Sequence, residues 1–261
     1  MDLNLSQKVA LVVASSQGLG KAIATQLVKE GSNVMLTSRD KGKLETVKRE
    51  LEALGVGKVA YCAADITKVE DIHHLVQTTR NTFGKIDILI NNAGGPPAGT
   101  FDQFTDEQWQ QAYELNLLSY IRLIREVLPD LKKDGGRIIN IASSSIKQPI
   151  PGLILSNTFR LGIVGLTKSL AEELAPYHIL INTVAPGRIA TDRVAFLDQI
   201  KAEKTGVTVE QIKLESQKNI PLKRYGSPEE FANVVTFLVS DASTYMTGSS
   251  FLIDGGMIKA I

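Results

Sequence analysis

Lys8-Val-Ala-Leu-Val-Val-Ala-Ser-Ser-Gln-Gly-Leu-Gly20 decides the fold. The run over residues 8–14 is short, apolar and rich in β-branched valine, which reads as a buried strand. Leu19, Ile23 and Leu27 then recur at helical spacing up to Glu30, and Gly31 closes the helix. Gly18 and Gly20 stand in the turn between strand and helix. A turn that binds phosphate needs small residues there, because backbone N–H groups must come close to the anion and the helix N-terminus adds partial positive charge. The first of the three glycines expected in such a turn is replaced by Ala14, whose Cβ is unwelcome if that position requires positive φ. A tight strand-to-helix turn with no ligand would read the same way.

The same alternation continues outward. Strands are expected at 33–37, 58–63, 86–90, 137–141, 179–184 and 249–253, and helices at 41–54, 69–83, 106–128 and 156–175. Strands that are apolar on both faces and separated by helices predict an α/β fold: one doubly wound parallel Rossmann sheet of about seven strands, helices on both faces. The segment at about 193–222 is polar and breaks the alternation, with weak helical period at 195–202 and 209–217. An insert of that kind beyond a strand's carboxyl end is expected to cover a ligand. The reading is a single domain over residues 1–261.

Composition narrows the function. Among 261 residues, 29 Lys and Arg face 28 Asp and Glu, a net charge of +1 that offers no basic excess for nucleic acid. No apolar run is long enough to cross a bilayer, and the first eight residues carry no basic region ahead of an apolar stretch, so a cytoplasmic protein is expected. The single cysteine, Cys62, reads as a small core residue. His73, His74 and His178 show no metal-ligand spacing, and no metal site is expected.

Four further segments join the first turn. Asn91-Asn-Ala-Gly94 follows the fourth strand, Asn116 lies in the next helix, Ile139-Asn-Ile-Ala-Ser143 ends the fifth strand, and Pro186-Gly187 with Thr191 ends the sixth. With Pro221 to Glu230, Tyr245 to Gly248 and Asp254 to Met257, this set resembles the short-chain dehydrogenase/reductase family over nearly the whole chain, most closely its 3-oxoacyl-carrier-protein reductase type. The resemblance implies a cofactor site at Ala14, Ser16, Gln17, Gly18, Leu19, Gly20, Arg39, Asp65, Ile66, Asn92, Ala93, Gly94, Arg160, Pro186, Gly187 and Thr191. It implies that Asn116 holds a proton-relay water and that Ser143 hydrogen-bonds a substrate carbonyl. It also implies a homotetramer or homodimer.

One departure stands out. The family places a Tyr thirteen residues after the Ser and a Lys four residues further; counting from Ser143 gives Ser156 and Arg160. The flanking Leu161 to Ala171 matches well, so by the resemblance both residues are replaced. Tyr suits carbonyl reduction because a neighbouring ammonium can bring its pKa down from ~10. A Ser hydroxyl is a weaker acid and shorter, and a guanidinium does not release its proton. Taken alone, Ser156 also reads as a helix N-cap and Arg160 as a solvated helix charge. Tyr113 and Tyr120, three and four residues from Asn116, are the alternative acids.

Cofactor choice rests on Leu36-Thr-Ser-Arg-Asp40. An acid at the end of the second strand would favour NAD(H), but Ser38 stands there with Arg39 next, which favours NADP(H); Gln17 lacks the charge that NADP-using relatives often carry. The expected function is hydride transfer between NADP(H) and a small-molecule carbonyl or alcohol, from Asn116, Ser143, Ser156 and Arg160 in an atypical, weakened site. The alternative is a catalytically inactive member of the fold kept for nucleotide or partner binding.

Overall fold

The computed structural model describes residues 2–260. Its centre is a sheet of seven parallel strands in the order β3-β2-β1-β4-β5-β6-β7. The strands are β1 (Val9–Val13), β2 (Asn33–Ser38), β3 (Val59–Ala63), β4 (Ile88–Asn91), β5 (Gly136–Ile141), β6 (Ile179–Pro186) and β7 (Ser250–Ile253). Side chains alternate across a strand, so β1 divides its residues between two cores. Ala10 and Val12 pack with Ile23 and Leu27 of α1 (Gly18–Lys29), Leu44 and Val47 of α2 (Lys41–Glu52) and, in the same layer, Phe231 and Val235. Leu11 and Val13 pack with Leu75 and Val76 of α3 (Val69–Phe83) and with Tyr120, Leu123 and Ile163.

The order of elements follows the sequence reading, with differences that have physical causes. The expected helix over 106–128 is α4 (Asp106–Tyr113) and α5 (Ser119–Asp134), joined by a π-helical turn at Glu114–Leu118 that contains Asn116. The helix expected over 156–175, α6 (Ile154–Leu174), starts two residues early, so Ser156 is inside its first turn and Leu153 is the N-cap. Within the polar insert, α7 (Asp192–Thr205) and α8 (Val209–Lys218) are longer than their weak periodicity suggested. The sequence reading assigns no element to 228–239, where the structure has α9 (Pro228–Val239). The signal was present: Ser227 and Glu230 form a capping box around Pro228, and Phe231, Val235 and Leu238 follow at helical spacing.

Beneath the carboxyl ends of the central strands, amide and hydroxyl groups form a buried line. Asn91 Nδ2 donates to Asn140 Oδ1 at 2.9 Å, Asn140 Nδ2 donates to Thr167 Oγ1 at 2.9 Å, and Thr167 and Thr183 share a hydroxyl bond of 2.9 Å. β4, β5, α6 and β6 are thereby tied together by side chains as well as backbone.

Candidate active site

A cavity of about 950 Å³ opens at the carboxyl edge of the sheet, around the paired strands β1 and β4, where the strand order reverses its direction. At one end lies the first turn. Ala14 has φ +50°, the left-handed conformation that disfavours a Cβ, so the position does carry the strain anticipated for a non-glycine. A Cβ on Gly20 would lie 2.2 Å from the Ala14 carbonyl oxygen, which explains why this residue lacks a side chain. No side chain caps α1 at Gln17 and no acid sits in its first turn, so its free N–H groups and partial positive charge remain available for an anion. The neighbouring end of β2 is basic: Arg39, Lys41 and Lys43 line the cavity, and Lys43 Nζ donates to Gln17 Oε1 at 3.0 Å. Lys41 and Lys43 were not anticipated, because their relation to the first turn depends on how α2 packs. Asp65 lines the same end; burial pushes its carboxyl up, but bonds from the Thr67 N–H and hydroxyl, with the charge of Arg39, leave it below the ordinary range.

Ala14, Ser16, Gln17, Gly18, Leu19, Arg39, Asp65, Ile66, Asn92, Ala93, Gly94, Ser143, Ser156, Arg160, Pro186, Gly187 and Thr191 all line this cavity. Gly20 and Asn116 do not. Gly20 lies behind the turn. Asn116 is fully buried and donates from Nδ2 to the Gly94 carbonyl at 2.9 Å, while its Oδ1 is without a partner.

The other end is built from side chains. Ser156 and Arg160 are one helical turn apart on α6, with 8% and 4% exposure, so neither is the solvated cap or charge that the sequence alone allowed. Arg160 Nη1 donates to the Tyr120 hydroxyl at 2.9 Å and the Ile141 carbonyl at 2.7 Å, and Nη2 to the Ala93 carbonyl at 3.1 Å. This contact also decides against Tyr120 as an acid. Tyr120 is fully buried, gives its proton to the Ile141 carbonyl at 2.9 Å, and burial pushes its phenol up despite the Arg160 charge. Tyr113 packs against Phe159 with ring centroids 5.9 Å apart and does not line the cavity. Among the described residues, no Tyr, His, Cys or Glu lines it. Ser143 Oγ accepts from the Ser145 N–H at 3.2 Å.

Sequence reading missed Arg193. From the first turn of α7 its Nη2 donates to the Pro96 carbonyl at 2.7 Å across the cavity, and its guanidinium lies against Gly95.

A family model described as Enoyl-(Acyl carrier protein) reductase matches residues 13–258. The chain belongs to the short-chain dehydrogenase/reductase family. It is 36% identical, over the whole of both chains, to the uncharacterized oxidoreductase YvrD of Bacillus subtilis (strain 168). It is also 36% identical to the 3-oxoacyl-[acyl-carrier-protein] reductase FabG of Aquifex aeolicus (strain VF5), covering 98% of this chain and 100% of that one. The crystal structure of L-sorbose reductase from Gluconobacter frateurii, complexed with NADPH and L-sorbose, superposes over 100% of both chains with a TM-score of 0.95 and 34% identity. The short-chain dehydrogenase/reductase fold therefore extends over the described chain, α7 and α8 included. No helix among the described residues is long and apolar enough to cross a membrane.

Proposed function

We propose that this protein is an NADP(H)-dependent oxidoreductase that interconverts a small-molecule carbonyl and alcohol through a weakened proton-transfer site. One observation carries the proposal: a single cavity joins an uncapped helix N-terminus flanked by Arg39, Lys41 and Lys43 to a polar end containing Ser143, Ser156 and Arg160. The donor set at the first end fits a dinucleotide. Its α1 N–H groups would meet a pyrophosphate, and three cations, without an acid at Ser38, would favour a 2′-phosphate over a free 2′-hydroxyl. The bond from Lys43 to Gln17 brings to the first turn the charge that residue 17 lacks. The reductases bound to NADPH among similar structures support the same preference.

When bound, the dinucleotide supplies the hydride. This chain supplies the rest: Ser143 Oγ and the Arg160 N–H groups hold the carbonyl oxygen as it gains charge, and Ser156 Oγ relays a proton from water. We assign Ser156 and Arg160 to the family's Tyr and Lys places. With a Ser hydroxyl for a phenol, turnover is expected to be about 10²–10⁴ lower than in a site with a strong general acid. Titration of the protein with NADPH and NADH, followed by turnover on ketone and alcohol panels, tests the proposal. Micromolar NADPH affinity, weaker NADH affinity and slow turnover are the expected result. The absence, among the described residues, of a Tyr, His, Cys or Glu from the cavity wall favours a second reading, nucleotide binding without turnover, which any clean turnover would exclude.

A further inference from the structure

The polar end of the cavity holds two cations with no anion to match them. Arg160 is almost completely buried, and an uncompensated buried charge is costly. Its partners are a hydroxyl and two carbonyls, none of them a carboxylate. Of the five N–H donors a guanidinium carries, these bonds engage three. Arg193 is half-buried and bonds one carbonyl, that of Pro96. Burial, and after it the positive charge of Arg160, pull the Arg193 guanidinium below its ordinary value. Both residues line the same space.

Acids elsewhere in the wall do not answer this charge. Asp40 caps α2 by accepting from the Lys43 N–H at 3.0 Å, and Asp65 bonds Thr67 beside Arg39. Asp192 is exposed and forms no ion pair with either arginine among the described residues. Two like charges held together in a partly desolvated pocket raise its affinity for an anion.

From this pair we infer that the substrate carries a carboxylate, and that Arg193 is the residue selecting it; Arg160 adds to the field while holding the reacting oxygen. The inference rests on the reductase reading and narrows its substrate class to oxo and hydroxy acids. An Arg fork suits a carboxylate because two parallel N–H bonds match its two oxygens.

The test is equilibrium binding of matched ligands to the full-length protein. Short 2- and 3-hydroxy acids are compared with their own methyl esters by calorimetry, with and without NADPH. NADPH and an alcohol cannot react with each other, so affinity is read without turnover. At least one acid should bind at least about tenfold more tightly than its ester, the scale expected of a hydrogen bond to a charged group. Arg193→Met, which keeps an unbranched aliphatic side chain and removes the guanidinium that lies over the Phe196 ring, should erase that preference while leaving ester and NADPH affinities unchanged; Arg193→Lys should retain part of it. The inference is overturned if no acid outbinds its ester, or if the preference survives Arg193→Met. It is also overturned if that variant weakens NADPH tenfold and spares the acids, since Arg193 would then serve the cofactor's pyrophosphate. A wild-type protein that binds no NADPH ends the reductase reading by itself, while the acid and ester comparison without nucleotide still reads the anion site.

Discussion

The two ends of the cavity are made differently. The end around β1 and β2 is a backbone device: the chain approaches itself so closely at Gly20 that a Cβ would meet the Ala14 carbonyl at 2.2 Å, and uncapped N–H groups of α1 point outward from it. The end around α6 and α7 depends on particular side chains brought from far apart in sequence, with Arg160 reaching Ala93, Tyr120 and Ile141. A backbone site tolerates many sequences provided a few positions stay small. A side-chain site changes its chemistry with one substitution, as in the proposed assignment of Ser156 and Arg160 to the family's Tyr and Lys places.

The strongest way to break this contrast is to rewrite the side-chain end. Ser156→Tyr combined with Arg160→Lys should raise turnover on a ketone panel by about 10²–10⁴, with NADPH affinity changing far less. No gain in a folded, nucleotide-binding variant would show that more than the acid had changed. Arg39→Ala addresses the other end. Calorimetry should show NADPH binding weakened by about tenfold and NADH binding nearly unchanged, consistent with loss of one charge-assisted contact. Ala14→Gly removes a Cβ from left-handed backbone and should stabilise the protein by about 0.5–1 kcal/mol in thermal or denaturant unfolding, with NADPH affinity preserved. An unchanged stability would mean that the turn is not strained.

The smallest effect lies outside the cavity and serves as a control. Glu230, which caps α9, has its carboxyl held down to about 2, chiefly by bonds from Arg224 and then by the Ser227 N–H. A carboxyl depressed on folding stabilises the protein at pH values above its unfolded pKa, ~4.3, and that contribution fades as pH falls toward 2. Glu230→Gln should therefore lower the melting temperature slightly at neutral pH and make no difference near pH 2. Turnover at neutral pH should be unaltered by it.

The contrast also explains what could be read in advance. β1, the first turn and the strain at Ala14 follow from local rules: valine runs, glycine spacing and the sign of φ. Helix α9 is equally local, since Ser227, Pro228 and Glu230 announce it. Arg193 is another matter. Its relation to Pro96 spans 97 positions and depends on the course of the insert, for which no periodicity gives a direction. Arg160 stands between these cases: the resemblance places it at the site and it does line the cavity, but its bonds to Tyr120, Ile141 and Ala93 depend on how α6 packs against α5 and the ends of β4 and β5.

The line from Asn91 through Asn140 and Thr167 to Thr183 concerns folding fidelity more than catalysis. Valine and isoleucine runs pair almost as well one residue out of step, and such a slip would move every side chain to the opposite layer. With amides and hydroxyls at fixed steps on β4, β5 and β6, a shifted pairing leaves polar groups stranded in an apolar interior. The sheet thus carries its own proofreading, placed directly under the loops whose positions the cavity requires.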